Sequence, residues 1–312
     1  MSKNSVAIIT AIGNPLAYKD FDVVLTMFEL QVKSIANLKG NFKYYCVSNH
    51  HPKVKAILNK HLNNDKYALI EVDFLPPLRK GEQAGHRTSH NYNIFMTDKG
   101  CRLISGFTSS LPDNLHFTFF VDCDDWINEN LILYYENNTS DICYVDKGYI
   151  IDYRNKKLKP CHGLFRFCGS TVAYSTEFLK KEFAHELECL DSMKTKEDII
   201  NAFGKDTVAL FFGDHMEWFW RYVGSNVKIE KVPFFAVYWV INTSQNVSGS
   251  AYTSKYWPDY NLDTGKLKRT LKNSTKFIYQ YTRQLIHAAL VKKSFKDKKL
   301  YFSVSDLMSK KH

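Results

Sequence analysis

Apolar and polar positions fall along the chain in blocks that define its elements. Residues 6–12 are a near-continuous, largely β-branched apolar run, which predicts a strand buried on both faces. Gly13-Asn14-Pro15 breaks it. Residues 21–38 place Val24, Met27, Phe28, Gln31, Ile35 and Leu38 on one helical band, and Lys39-Gly40-Asn41 ends that helix. Residues 42–48, 52–61 and 68–74 read in turn as strand, helix and strand. Such alternation implies a parallel sheet with right-handed crossovers.

The pattern continues with less regularity. Residues 75–87 form a loop with Pro76-Pro77 and two Gly, followed by helix over 90–110 and a strand at 117–121. Helix resumes over 129–136. Residues 141–152 and 158–167 read as antiparallel strands, 176–203 as mainly helix, 210–223 as an aromatic-rich helix and 227–240 as a strand region. The fold expected is α/β, a Rossmann-like, mixed and mostly parallel sheet flanked by helices. No internal repeat is present.

Charge changes the picture at one end. The formal net charge is +10, yet residues 266–312 hold thirteen Lys or Arg against Asp297 and Asp306. The preceding 265 residues hold 29 basic and 30 acidic side chains and are near neutral. Residues 266–293 read as an amphipathic helix, with Lys272, Lys276, Arg283 and His287 on one face and Phe277, Ile278, Tyr281 and Leu285 roughly opposite. Two readings stand: a helix packed on the main domain, and a helix lying on an anionic membrane surface. The expected organisation is a catalytic domain over 1–265, divided near residue 127, and a basic helical C-terminal extension over 266–312.

Seven Cys, odd in number and without a CxxC pair, indicate neither a zinc site nor a disulfide framework. A reducing cytoplasm is the expected setting. The N-terminal apolar run is too short for a signal peptide, and no run reaches the length of a membrane span. The 22 Phe, 19 Tyr and 5 Trp suit stacking on sugars or bases as well as core packing.

The densest candidate chemistry is Asp122-Cys123-Asp124-Asp125, delivered by the apolar strand before it. Alternate residues of an extended chain share a side, so Asp122 and Asp124 can enter one site. Carboxylates this close repel unless a cation or donors offset them. Hard oxygen ligands suit Mg²⁺ or Mn²⁺, often shared with substrate phosphates. The plainer alternative is a turn with an Asx cap.

Residues 121–127 resemble the DxDD-W-I signature of the GT-A glycosyltransferases, in particular the family 2-like enzymes that build bacterial polysaccharides. The order of other short stretches is similar: Thr10-Ala11-Ile12-Gly13, Lys99-Gly100, a glycine-containing acceptor-side segment at 163–170, and Gly213-Asp214-His215-Met216-Glu217-Trp218. The resemblance implies a GT-A fold and transfer of a hexose from a nucleoside diphosphate sugar, UDP by default, to a hydroxyl of a saccharide or lipid-linked saccharide. It implies that Thr10, Ala11 and Gly13 lie against the nucleotide, with Lys99 near the donor. Asp122 and Asp124 would hold ribose and metal, with Asp125 sharing that duty. The family's acid pair is here Asp214-His215, so either could be the base; a carboxylate at Asp214 preserves the family chemistry. An inverting outcome is implied, with a retaining one left open by this departure. Arg166 and Trp218 are acceptor-side candidates, and His86, Arg87, His90 and His162 are further polar candidates. The setting implied is the cytoplasmic face of the membrane, in synthesis of capsule, O-antigen or lipooligosaccharide, with no nucleic-acid partner.

Three rivals remain. A metal-dependent nucleotidyltransferase or phosphotransferase also needs clustered Asp, but residues 10–15 lack a phosphate loop rich in Gly, Lys and Arg. A nucleic-acid or anionic-surface binding module would use the basic tail and leave the acidic cluster unexplained. A catalytically inactive relative would have lost metal binding at Asp122 and Asp124.

Overall fold

A computed structural model describes residues 5–77, 89–155, 157–189, 193–214 and 217–243. Eleven strands are assigned among them: β1 (Val6–Ala11), β2 (Phe42–Ser48), β3 (Tyr67–Glu71), β4 (Phe117–Asp122), β5 (Trp126–Ile127), β6 (Ile142–Tyr144), β7 (Lys147–Asp152), β8 (Lys157–His162), β9 (Val172–Ser175), β10 (Ile229–Lys231) and β11 (Val237–Ile241). The helices are α1 (Phe21–Ala36), α2 (Pro52–His61), α3 (Ser89–Ser110), α4 (Leu131–Glu136), α5 (Thr176–Glu182), α6 (Ala184–Leu187), α7 (Lys196–Phe203) and α8 (Glu217–Tyr222). A π-helix, Thr207–Gly213, precedes α8.

The main sheet has seven strands in the order β10-β6-β9-β4-β1-β2-β3. β1 pairs in parallel with β2 and β4, as does β2 with β3 and β10 with β6. β9 runs antiparallel to both β4 and β6. The sheet is therefore mixed and mostly parallel, as the alternating pattern predicts. It also crosses the expected division near residue 127, because β4 is bonded to β9. A second sheet, in the order β5-β11-β7-β8, is built from strands interleaved in sequence with β6, β9 and β10 of the main sheet.

β1 is an interior strand, paired with β4 on one edge and β2 on the other, with Val6, Ala7, Ile8 and Ile9 fully buried. Its two faces feed two cores. Val6 and Ile8 pack with Val24, Phe28 and Ile35 of α1 and Val54 and Leu58 of α2. Ala7 and Ile9 pack with Cys101, Ile104 and Phe107 of α3. Each such aliphatic or aromatic side chain contributes ~1.5–3 kcal/mol on leaving water.

α1 begins at Asp20, whose carboxylate accepts from the amides of Asp22 (3.0 Å) and Val23 (3.3 Å). Gln31 is the polar member of its buried band. Its amide donates to the Asp122 carbonyl (2.7 Å) and to Thr10 Oγ1 (3.2 Å), and its carbonyl accepts from Tyr44 Oη (3.0 Å). A fully buried amide thus finds partners on three strands, as burial requires.

Three expectations are corrected. The pattern assigns no strand to residues 172–175, yet β9 completes the main sheet. The strand expected over 158–167 stops at His162: Gly163 takes φ 71°, which ends β8, and the chain enters a short 3-10 turn at Leu164–Arg166. The helix over 210–223 is two pieces, π-helix then α8. The basic extension over 266–312 lies outside the described residues. No described helix is long and apolar enough to cross a membrane.

Candidate active site

The two cores locate the site. α1 and α2 cover one face of the sheet, whereas α3, which leads into β4, covers the other. Connections leaving β1 and entering β4 therefore part to opposite faces, and a crevice opens at the carboxyl ends of these neighbours. Open α/β sheets bind ligands at such a point. Ala11 and Asp122 are register partners there. The acidic cluster thus stands beside the end of β1, 111 positions away in sequence.

After Asp122 the chain turns through Cys123-Asp124, closed by Asp125 N–H donating to the Asp122 carbonyl at 3.1 Å. The Asp122 carboxylate forms an ion pair with Lys99 Nζ, on α3. Both side chains keep partial exposure, 31% and 25%. Gly169 closes in beneath this pair; a Cβ there would lie 2.5 Å from Asp122 Oδ2 and 2.9 Å from Lys99 Nζ. Burial pulls the Lys99 ammonium down, but Asp122, then Asp214 and Asp125, outweigh it and hold its pKa above the ordinary lysine value. Lys99 therefore remains a cation at neutral pH. Burial, then the charges of Asp125 and Asp122, push the Asp124 carboxyl well above the carboxylate range. A positive charge placed beside it would favour the ionised form.

Asp125 differs from its expected share in a metal. It is 1% exposed and turned inward. Its Oδ1 accepts from Val240 N–H (3.0 Å), and its Oδ2 from Ser170 Oγ (2.6 Å) and Cys168 Sγ (3.1 Å). Burial and then the Asp122 charge push its pKa up to about 7, against the pull of these three donors. Both oxygens are thus committed to protein donors. Among the described residues, no group of three or more His, Cys, Asp or Glu side chains could hold a metal ion by itself.

Asp214 reaches the same place from the other side. It follows the π-helix, its N–H donating five residues back to the Ala209 carbonyl at 3.0 Å. π-Helical turns recur at functional sites because the extra residue re-aims the next side chain. Lys99, Asp122 and Asp214 line one small cleft, with Phe120, Tyr174 and Phe212 among its apolar walls. The structure thus brings together Lys99, Asp122 and Asp214, three residues singled out from the sequence. His215, His86 and Arg87 lie outside the described residues, as does the side chain of His90.

Other expected positions differ. Thr10 is fully buried and receives the Gln31 amide, so strand alternation turns it away from the crevice; Ala11 and Gly13 are the half-buried positions at that edge. Trp218, expected against an acceptor ring, is 1% exposed and packs on Tyr144, Phe165 and Phe219. It is a core residue, placed inward by its face of α8. Arg166 lies over the Phe167 ring at 4.8 Å, outside the residues lining the cleft. His162 packs edge-on to Phe235, and its pKa is lowered by burial. Gly169 and Ser170 lie in the acceptor-side segment 163–170 without being singled out as site residues, and Gln31 reads only as a member of the helical band, where a polar residue among apolar ones is a usable signal.

No family model matches the chain, and no curated protein matches it. Among solved structures it is similar to S. aureus TarS 1-349 in complex with UDP-GlcNAc, at 12% identity over 81% of this chain and 62% of that one, with a TM-score of 0.43. The corresponding complex of TarS with UDP gives 13% identity over 76% and 61%, with a TM-score of 0.45. A 4-diphosphocytidyl-2C-methyl-D-erythritol synthase from Anaerococcus prevotii gives 14% over 78% and 90%, with a TM-score of 0.37. The chain spans less than two thirds of the TarS 1-349 structures it matches. At these identities the likeness is confined to the α/β frame.

Proposed function

We propose that this chain is a metal-dependent glycosyltransferase. It would move a hexose from a nucleoside diphosphate sugar, UDP favoured, to a hydroxyl of a saccharide acceptor in bacterial surface polysaccharide synthesis. One observation carries the reading: the Asp122 carboxylate and Lys99 meet at the crevice between β1 and β4, with a second carboxylate, Asp214, on the same cleft.

The residues present fit Mn²⁺ or Mg²⁺ bound together with a diphosphate. Burial and neighbouring charge push the Asp124 carboxyl well above the ordinary carboxylate range, and a divalent cation beside it would favour its ionised form. Asp122 and Asp124 supply two hard oxygens, and phosphate oxygens and water supply the rest. When bound, the cation would neutralise charge developing on the leaving diphosphate. Lys99 adds a second positive charge on that side, since it stays protonated. Asp214 accepts the proton of the acceptor hydroxyl as its oxygen bonds to the anomeric carbon. The bond from that carbon to the diphosphate oxygen breaks, and its electron pair leaves with the diphosphate. A single displacement of this kind inverts the anomeric centre.

The test is thermal shift of the full chain with a panel of nucleotide sugars, with and without Mn²⁺. One donor should stabilise the protein only with the metal, and Asp124→Ala should abolish the shift. Asp214→Asn should keep that shift and lose ~10²–10⁴-fold in kcat. Stabilisation by a nucleoside triphosphate, with pyrophosphate release in its presence, would instead select a nucleotidyltransferase.

A further inference from the structure

The backbone at Asp122 has an unusual partner. β9 pairs with β4 only from Phe117 to Phe119, so its ladder stops before the end of β4. In place of a strand, the fully buried Ser170 meets the edge there: Asp122 N–H donates to Ser170 Oγ at 2.8 Å. A serine hydroxyl carries one hydrogen. Ser170 Oγ also lies 2.6 Å from Asp125 Oδ2, a carboxylate oxygen that accepts. The hydrogen therefore goes to Asp125, and a lone pair of the same oxygen receives Asp122. The far oxygen of Asp125 is held by Val240 N–H, on β11 of the second sheet. Gly169, next to Ser170, closes against the Asp122 and Lys99 side chains. One short loop thus fastens the backbone of Asp122 and bounds the space of its carboxylate.

We propose that Ser170 and Asp125 are positioning residues. They form a hydrogen-bond relay from the second sheet, Val240 to Asp125 to Ser170 to Asp122, that fixes the Asp122 carboxylate against Lys99. The importance of this for catalysis rests on the reading of Asp122 as a donor-site ligand. The relay itself does not. Outer partners of metal-binding carboxylates typically control affinity by ~10–100-fold, because they set ligand orientation without touching the ligand.

Two readouts on the full-length chain test the relay. The first is the rate at which Lys99 is acylated by an amine-specific reagent, read by mass spectrometry against the exposed Lys39 in the same molecule. Ser170→Ala removes both hydrogen bonds, so the Lys99 rate should rise several-fold relative to Lys39. Ser170→Thr, which keeps the hydroxyl, should return it toward the parent. Asp125→Asn, which turns an acceptor into a donor facing other donors, should act like Ser170→Ala if it folds. The second readout is the Mn²⁺-dependent affinity for the stabilising nucleotide sugar, expected to weaken ~10-fold in Ser170→Ala and recover in Ser170→Thr. Unchanged Lys99 labelling in Ser170→Ala, or equal damage from Thr and Ala, would overturn the relay. A parent protein that binds no nucleotide sugar defeats the glycosyltransferase reading instead, while the labelling result still decides the relay.

Discussion

Gly100 of α3 and Val208 of the π-helix meet backbone to backbone: a Cβ on Gly100 would lie 1.9 Å from the Val208 carbonyl oxygen. Gly213 makes the reciprocal approach, its Cβ position 2.2 Å from the Met96 carbonyl oxygen. Neither obstacle is the end of a flexible side chain, so neither can swing aside. Lys99 precedes the first glycine and Asp214 follows the second. Gly100→Ala should therefore force the two helices apart and cost ~1–3 kcal/mol, as overpacking does. It should also weaken nucleotide-sugar binding, because Lys99 moves with α3. Thermal melts and donor titration of this variant check both effects.

Asp124 should oppose stability in the metal-free protein. Its pKa is raised in the fold, so the folded acid keeps a proton that the unfolded chain releases above the ordinary carboxylate range. At neutral pH that is a net cost. Asp124→Asn should stabilise the metal-free protein by about 1 kcal/mol while abolishing the added stabilisation by Mn²⁺ and donor. Melting in EDTA and in Mn²⁺ with donor separates the two.

Trp218 should behave as core. Trp218→Ala should cost ~3–5 kcal/mol in unfolding free energy. Trp218→Phe, smaller but still aromatic, should leave the acceptor KM unchanged once the protein is folded. A selective rise in acceptor KM with an unchanged Tm would return this residue to the acceptor side.

Glu29 holds α1 to α2 away from the site, through Lys60 (2.9 Å) and His61 (2.8 Å). The hydrogen bond from Lys60, then that from His61, lowers its pKa from 4.5 to about 2. A depressed carboxylate stabilises the fold above its unfolded value and loses that contribution as pH falls. Glu29→Gln should therefore cost ~0.5–1 kcal/mol at pH 7, within the range of partly exposed ion pairs. The difference from the parent should shrink as pH falls from 4.5 to about 2, as denaturant melts across that window would show.

Elements with long, one-character patterns were legible in the sequence. The runs forming β1 and β2 are apolar on both faces, and α2 announces itself by Pro52, so their extents read directly. β9 did not, because four residues inserted antiparallel between β4 and β6 carry too short a pattern to separate from their surroundings. At the site, Asp122 and Lys99 were legible from motif and position. The inward turn of Asp125 was not: its partners stand at residues 168, 170 and 240, and no local signal links them. Trp218 was misassigned because an aromatic beside a polar motif reads alike whether it faces a ligand or the core; only packing decides.

The span of the relay has a consequence for how the protein matures. Asp122 needs Gln31 from before it, Ser170 from after it and, through Asp125, Val240 near the end of the described chain. During synthesis the first four strands of the main sheet can pair long before residue 240 leaves the ribosome. A nascent or truncated chain can therefore own all of its acidic motif and half of its sheet and still lack the last link of the Asp122 support. The site is finished by the last of the described strands to arrive, so its activity would report on completion of this part of the fold and not on the presence of the motif.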